Sequence, residues 1–259
     1  MTAARWKPFP HPAKAFTYPG ASLKKHWDRL HRGDCEPYPK DAGAQAAWRL
    51  FHQGRFADAL AAGLEAGGGG VTAANKAQAI YATYVETRAG ARLALFEEVM
   101  QRAEAQARSR PKDANAHYLY AYAAGRYSQG ISVARALAQG FGGKVRAALE
   151  ATLALRPRHA EAHTAMGAYH AEIIDKVGAL VGGLTYGAKR DAALAHFRKA
   201  LELAPDSPIA SVEMARGLAL LDGRKSVAQA ETLFARAAAM TPRDAMEKLD
   251  VEAARAGRD

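Results

Sequence analysis

Histidine, glycine and cysteine are the residues whose spacing in this 259-residue chain bears on chemistry. His159-Ala160-Glu161-Ala162-His163, with His170 two turns further along the same predicted helix, groups imidazoles and a carboxylate of the kind that hold zinc. The order is not that of the zinc proteases, and no cysteine assists. His163 also falls where His117 falls after an earlier proline, a position expected to carry a packed ring rather than a ligand. Phosphate binding would need a glycine loop between a strand and a helix. Gly140-Phe-Gly-Gly-Lys144 and Gly183-Leu-Thr-Tyr-Gly187-Ala-Lys189 lack the G-x-x-x-x-G-K-[ST] spacing, and no strand is predicted before either. Cys35, four residues after His31, lies in a polar, proline-flanked loop, and no serine–histidine–acid set can be assembled. The expectation is a protein without catalytic residues, metal or cofactor, one that acts by binding.

The elements that carry these residues are helical. Alanine, leucine and arginine dominate, and β-branched residues are sparse. Pro111, Pro157, Pro205 and Pro242 each follow a stretch with apolar residues 12, 8 and 4 places upstream: Val99/Ala103/Ala107, Val145/Leu149/Leu153, Ala193/Phe197/Leu201 and Ala230/Phe234/Ala238. That spacing lines one face of a helix, which the proline then ends. After the first three prolines a second pattern begins, with His117, His163 or Ser211 followed four residues later by Ala121, Gly167 or Ala215. A bulky Tyr120, Met166 or Met214 precedes each small residue. Small against large is how antiparallel helices approach closely in a stacked repeat. Residues 44–66 form an earlier unit that turns at Gly54-Arg55-Phe56. Residues 76–88 are a further predicted helix and residues 245–255 a polar capping helix.

This arrangement resembles the tetratricopeptide (TPR) family, most closely in AALAHFRKALELAPDSP at residues 192–208. The resemblance implies an all-α, right-handed α-α superhelix of about five helix pairs, with residues 1–39 as an N-terminal arm packed on the first repeat and residues 40–259 as the repeat domain. The proline spacings of 46, 48 and 37 residues exceed or depart from the family's repeat, because residues 125–143 and 172–187 are inserted between helices. Paired inserts resemble a subgroup that includes the T component of TRAP transporters and the regulator-of-microtubule-dynamics proteins. In that fold the first helix of each pair lines a concave groove. The corresponding positions here are Trp48, His52, Asn115, Tyr118, Tyr122, Arg126, Thr164, Glu172 and Arg216, a set suited to a protein or peptide partner.

The inserts are nearly uncharged: residues 177–188 hold no charged side chain and residues 130–143 only Arg135. Ile131, Phe141, Val177, Leu180, Val181, Leu184 and Tyr186 therefore either extend the core or form a surface for a partner, a second copy or a membrane, or line a cavity for a small solute or lipid-like molecule. The chain carries a formal +10, half of it within residues 1–40. A basic, solvated arm from a GC-rich bacterial genome explains this without a specific nucleic-acid partner. No run of apolar residues is long enough to span a bilayer, no secretory leader is recognised, and the single cysteine fits a reducing compartment, so a cytoplasmic protein is expected.

Overall fold

The computed structural model describes residues 6–257, the side chain of Ala15 excepted, and the described residues contain helices, turns and loops but no strand. The chain forms two compact units of interleaved sequence, one of residues up to 31, 36–132 and 243–246, the other of residues 32–35, 133–242 and 247 onward.

The first unit holds α1 (Ser22–Leu30), α2 (Ala42–His52), α3 (Phe56–Ala66), α4 (Gly70–Tyr84), α5 (Ala89–Ser109) and α6 (Ala114–Gln129). Consecutive helices pack from α2 to α6, and α2 and α6 also touch α4. α4 starts six residues earlier than its sequence pattern suggests. A Cβ on Gly63 would meet the Gly70 carbonyl at 2.5 Å, so glycines on both sides let α3 and α4 approach through backbone. From Thr72 to Ala82 every residue of α4 is buried, including Asn75, Lys76 and Gln78. Its polar groups are met by α5: Asn75 Nδ2 donates to Gln106 Oε1 (3.3 Å), Arg102 donates to Asn75 Oδ1 (2.9 Å) and Gln78 Oε1 (2.6 Å), and Gln78 Nε2 donates to Leu95 O and Glu98 Oε2. Gln106 Nε2 completes the set with Thr72 Oγ1 (2.9 Å) and Asp113 Oδ2 (3.0 Å).

The arm joins this unit through rings. Trp6 stacks on Tyr81 at 4.1 Å, Phe9 lies edge-on to Phe56, and Leu23 and Trp27 are buried, with Trp27 edge-on to Trp48. Aromatic burial supplies the apolar area that orders a chain segment bearing six prolines. Residues Arg32–Cys35 belong instead to the other unit. There Gly33 O accepts from Glu161 N–H at 2.9 Å, and Arg32 pairs with Asp206 at 3.0 Å.

The second unit holds α7 (Val133–Ala138), α8 (Phe141–Leu155), α9 (Ala160–Val177), α10 (Ala179–Tyr186), α11 (Arg190–Leu203), α12 (Pro208–Asp222), α13 (Val227–Ala238) and most of α14 (Ala245–Ala256). Its core centres on Phe197 of α11, with Ala193, Leu194, Met214 and Leu218 around it. Val212, Ala237, Ala238 and Ala254 knit α12, α13 and α14. A Cβ at Gly167 would come within 2.7 Å of the Phe197 ring, and one at Gly217 within 2.5 Å. The ring is thus clasped between two glycines on α9 and α12.

The proline-anchored turns recur in detail. Two residues after Pro111, Pro157 and Pro205 stand Asp113, His159 and Ser207, and each side chain accepts from the backbone N–H three residues on, at 3.2, 3.0 and 3.4 Å. These are N-caps, satisfying donors that a helix start leaves open. Both apolar inserts become a continuation of the preceding helix followed by a short one, α7 or α10.

Candidate functional site

The histidines of the zinc-like constellation are engaged structurally. His159 is fully buried, and its Nδ1 accepts from Ala162 N–H, capping α9. His117 and His163 repeat one another: each Nε2 sits 3.1 or 3.0 Å from the carbonyl of the proline six residues before. A carbonyl only accepts, so Nε2 of His163 carries hydrogen and its Nδ1 is left as an acceptor. His196 of α11, which the sequence pattern did not single out, lies with its Nδ1 2.8 Å from that Nδ1 and must therefore donate to it. His170 Nδ1 accepts from Lys189 N–H at 3.4 Å, and its ring lies 5.9 Å from that of His196. Burial pushes all three imidazoles down, with His196 lowered to about 4 by burial and by the neighbouring His163 and His170. Their ring contacts join α9 to α11. No group of three or more histidine, cysteine, aspartate or glutamate side chains among the described residues is arranged to hold a metal ion.

A second histidine was expected to face a groove and does not. His52 is buried with Trp48 and Phe51 on α2, under Tyr18, Trp27 and His31. Its Nδ1 donates to Asp244 at 2.8 Å, burial pushes its pKa down, and the Asp244 carboxylate pulls it partly back. A histidine oriented by a carboxylate is the arrangement of a general base. At 1% and 3% side-chain exposure this pair is closed to any substrate, and it fastens the segment around Asp244 to α2. Cys35 donates to Arg158 O at 3.4 Å, and burial raises its thiol pKa, the opposite of an activated nucleophile.

The groove positions divide in the same way. Trp48, His52, Asn115, Tyr118 and Thr164 are buried. Asn115 Nδ2 donates to Glu36 Oε2 at 2.6 Å, and the Thr164 hydroxyl donates to Ala160 O. The first-helix positions that the TPR resemblance assigns to a groove therefore turn largely toward the core here. Tyr122, Arg126 and Glu172 are partly exposed and Arg216 is exposed. On α6 the Tyr122 hydroxyl lies 2.8 Å from Thr83 Oγ1 and Arg126 stands 5.5 Å over the Tyr122 ring. Arg216 pairs with Glu213 at 3.1 Å.

Insert residues separate too. Phe141 is buried; Ile131, Val177 and Tyr186 are half-buried, and the Tyr186 carbonyl accepts from Arg146 (3.0 Å) and Tyr169 (3.1 Å). Leu180, Val181 and Leu184 are exposed. The glycine motifs contribute helix, not phosphate loops: Gly140 precedes α8, and Gly183 lies inside α10.

Over residues 72–256 the sequence matches the family described as Regulator of microtubule dynamics protein 1-3. The chain belongs to that family. Among solved structures it is similar to the crystal structure of a thermophilic TPR protein from Thermus thermophilus, at 18% identity, over 83% of this chain and 97% of that one, with a TM-score of 0.58. At that identity the likeness concerns the fold, which is all-α and TPR-like, as the proline-anchored pattern implies. No curated protein matches the sequence. The family match spans both proline-bounded inserts, so the paired short helices α7 and α10 lie within the regulator-of-microtubule-dynamics region of the chain. No helix among the described residues is long and apolar enough to cross a membrane.

Proposed function

We propose that this regulator-of-microtubule-dynamics family member is a non-catalytic adaptor that binds a protein or peptide segment through the partly exposed face of α6 that carries Tyr122 and Arg126. The reading rests on Tyr122 and Arg126. An aromatic ring and a guanidinium, side by side and preorganised by Thr83, combine the two residue types that most often dominate binding energy. Every histidine near a catalytic arrangement is instead buried or tied into a turn, which supports a scaffold over an enzyme. Leu180 and Leu184 point outward rather than lining an enclosure, which favours an adaptor over a small-solute carrier. The arm's aromatic side chains pack inward and its Lys7 and Arg32 are engaged with Thr87 and Asp206, so the basic arm is read as structural and not as a nucleic-acid contact. A cytoplasmic site of action and a monomer or homo-oligomer are both compatible with this role.

The test is affinity purification with mass spectrometry of the intact chain against a Tyr122→Ala, Arg126→Ala double variant. Loss of specific partners, with thermal stability held, supports the reading. Identical partner lists from the two proteins would remove it.

A further inference from the structure

We infer that α10 is a shallow anchor for an anionic phospholipid surface. Its side chains are distributed the wrong way round for a core helix. At about 100° per residue, Leu180, Val181 and Leu184 fall within one arc, and Gly182 and Tyr186 fall opposite. The glycine side is the buried one: a Cβ on Gly182 would lie 3.2 Å from Ile173 Cγ2, and Tyr186 is anchored through its carbonyl by Arg146 and Tyr169. The aliphatic side faces out, with exposures of 76% for Leu180, 50% for Val181 and 82% for Leu184. Gly178 (φ +81°) and Gly187 (φ +63°) turn the chain at each end of the helix, which packs its glycine side on α9.

The preceding insert repeats the feature. Val133 and Leu137, four residues apart on α7, are exposed at 43% and 38%, just before α8. The start of α8 touches α10, since a Cβ on Gly142 would meet the Tyr186 ring at 2.9 Å.

Charge indicates what covers the apolar side. α10 carries no ionisable side chain apart from the Tyr186 phenol and is flanked by exposed Lys176 and Lys189. Exposed Lys144 stands 5.6 Å over the Phe141 ring at the start of α8. Lys176 lies 3.5 Å from Asp175 and exposed Asp191 stands two residues after Lys189, so two acids partly offset this set, while the chain as a whole carries +10. Exposed aliphatic side chains flanked by lysines match the boundary between acyl chains and anionic headgroups. Eight residues are far too few to span a bilayer, so the helix lies in its surface. Three side chains also fall well short of the roughly 800 Å² per partner that a stable protein dimer buries, which favours lipid over a second copy.

The experiment is co-sedimentation of the full chain with phosphatidylcholine vesicles, with and without phosphatidylglycerol. Wild-type protein is expected to sediment with the anionic vesicles and to lose binding as salt rises. A Leu180→Glu, Leu184→Glu variant should need about tenfold more lipid for half-binding. Lys176→Gln combined with Lys189→Gln should weaken anionic binding severalfold and flatten its salt dependence. The substituted side chains are exposed, so circular dichroism and melting temperature are expected to match wild type. Absence of sedimentation, equal binding to neutral vesicles, or undiminished binding by the leucine variant overturns the inference. So does a dimer in light scattering that Leu184→Glu converts to monomer without any lipid binding, which would assign the patch to self-association. Because the adaptor reading concerns α6, neither result alters the partner-list test.

Discussion

The two units solve the same packing problem with different chemistry. In the first, α4 is buried from Thr72 to Ala82 and its amides are answered by Gln106, Arg102 and Glu98, so the α4–α5 contact is fixed by hydrogen bonds. In the second, α9, α11 and α12 meet through shape: the Phe197 ring occupies space that only glycine leaves at 167 and 217. Directional bonds tolerate little change of partner, because each lost partner leaves a buried group unsatisfied. A steric clasp is indifferent to polarity and sensitive to a single methyl group. The α4–α5 contact is therefore specified by its polar atoms, and the packing of α9 and α12 on Phe197 by volume.

Replacing Phe197 should have the largest effect. Phe197→Ala empties the clasp and is expected to cost about 3–5 kcal/mol. Denaturant titration measures the loss, and amide exchange should rise in residues 133–242 before it rises in 36–132. Faster exchange in the first unit instead would break the distinction between the two. Next comes Gln106→Ala, which removes one partner each from Thr72, Asp113 and Asn75 at once and should cost roughly 2–3 kcal/mol, with exchange rising first in α4 and α5. Gly217→Ala is smaller. An alanine in a helix interior ordinarily gains up to about 1 kcal/mol over glycine. Here its methyl would lie 2.5 Å from the Phe197 ring, and a net loss of about 1–2 kcal/mol is expected. A Gly217→Ala protein as stable as wild type would show that the ring moves aside and that the clasp is loose.

How much of this was legible follows the same division. Proline spacing and apolar periodicity are local properties, and they located the helix ends before Pro111, Pro157 and Pro205. They also identified Gly167 as a small residue opposed to a large one. Gly217 escaped because Ala215, two residues away, already filled the expected small position. The caps are easily overlooked: Asp113, His159 and Ser207 stand two residues after their prolines, but Asp, His and Ser do not read as one class until the acceptor atom is considered. Groove residues were the least legible. Which way a helix faces depends on its neighbours, and Trp48, His52, Asn115, Tyr118 and Thr164, placed on a groove by resemblance alone, face inward. His196 was invisible because its partner lies 33 residues away on another helix.

The smallest expected effect separates the units by pH. His196 is lowered to about 4 in the folded chain against an ordinary value near 6.5, and His163 and His170 are lowered with it, mainly by burial. Between those limits the unfolded chain takes up protons that the native α9–α11 contact refuses. The stabilisation is therefore complete above about pH 6.5 and is lost progressively as pH falls toward 4. The groups facing the cluster do not cancel the trend: Lys199 and Arg146 oppose protonation, while Glu202 and Glu150 favour it. The first unit contributes one lowered histidine, His52, whose Asp244 partner pulls in the other direction. Melting temperature is thus expected to fall by a few degrees from pH 7 to pH 5, and His196→Gln should flatten that slope. Because His163 and His196 are partly exposed, solvent screens part of the effect, which is why it ranks below the clasp. Amide exchange at pH 5 should quicken at the α9–α11 pair first. An unchanged slope in His196→Gln would move the acid sensitivity to His52 and make the hydrogen-bonded unit, not the clasped one, the first to loosen.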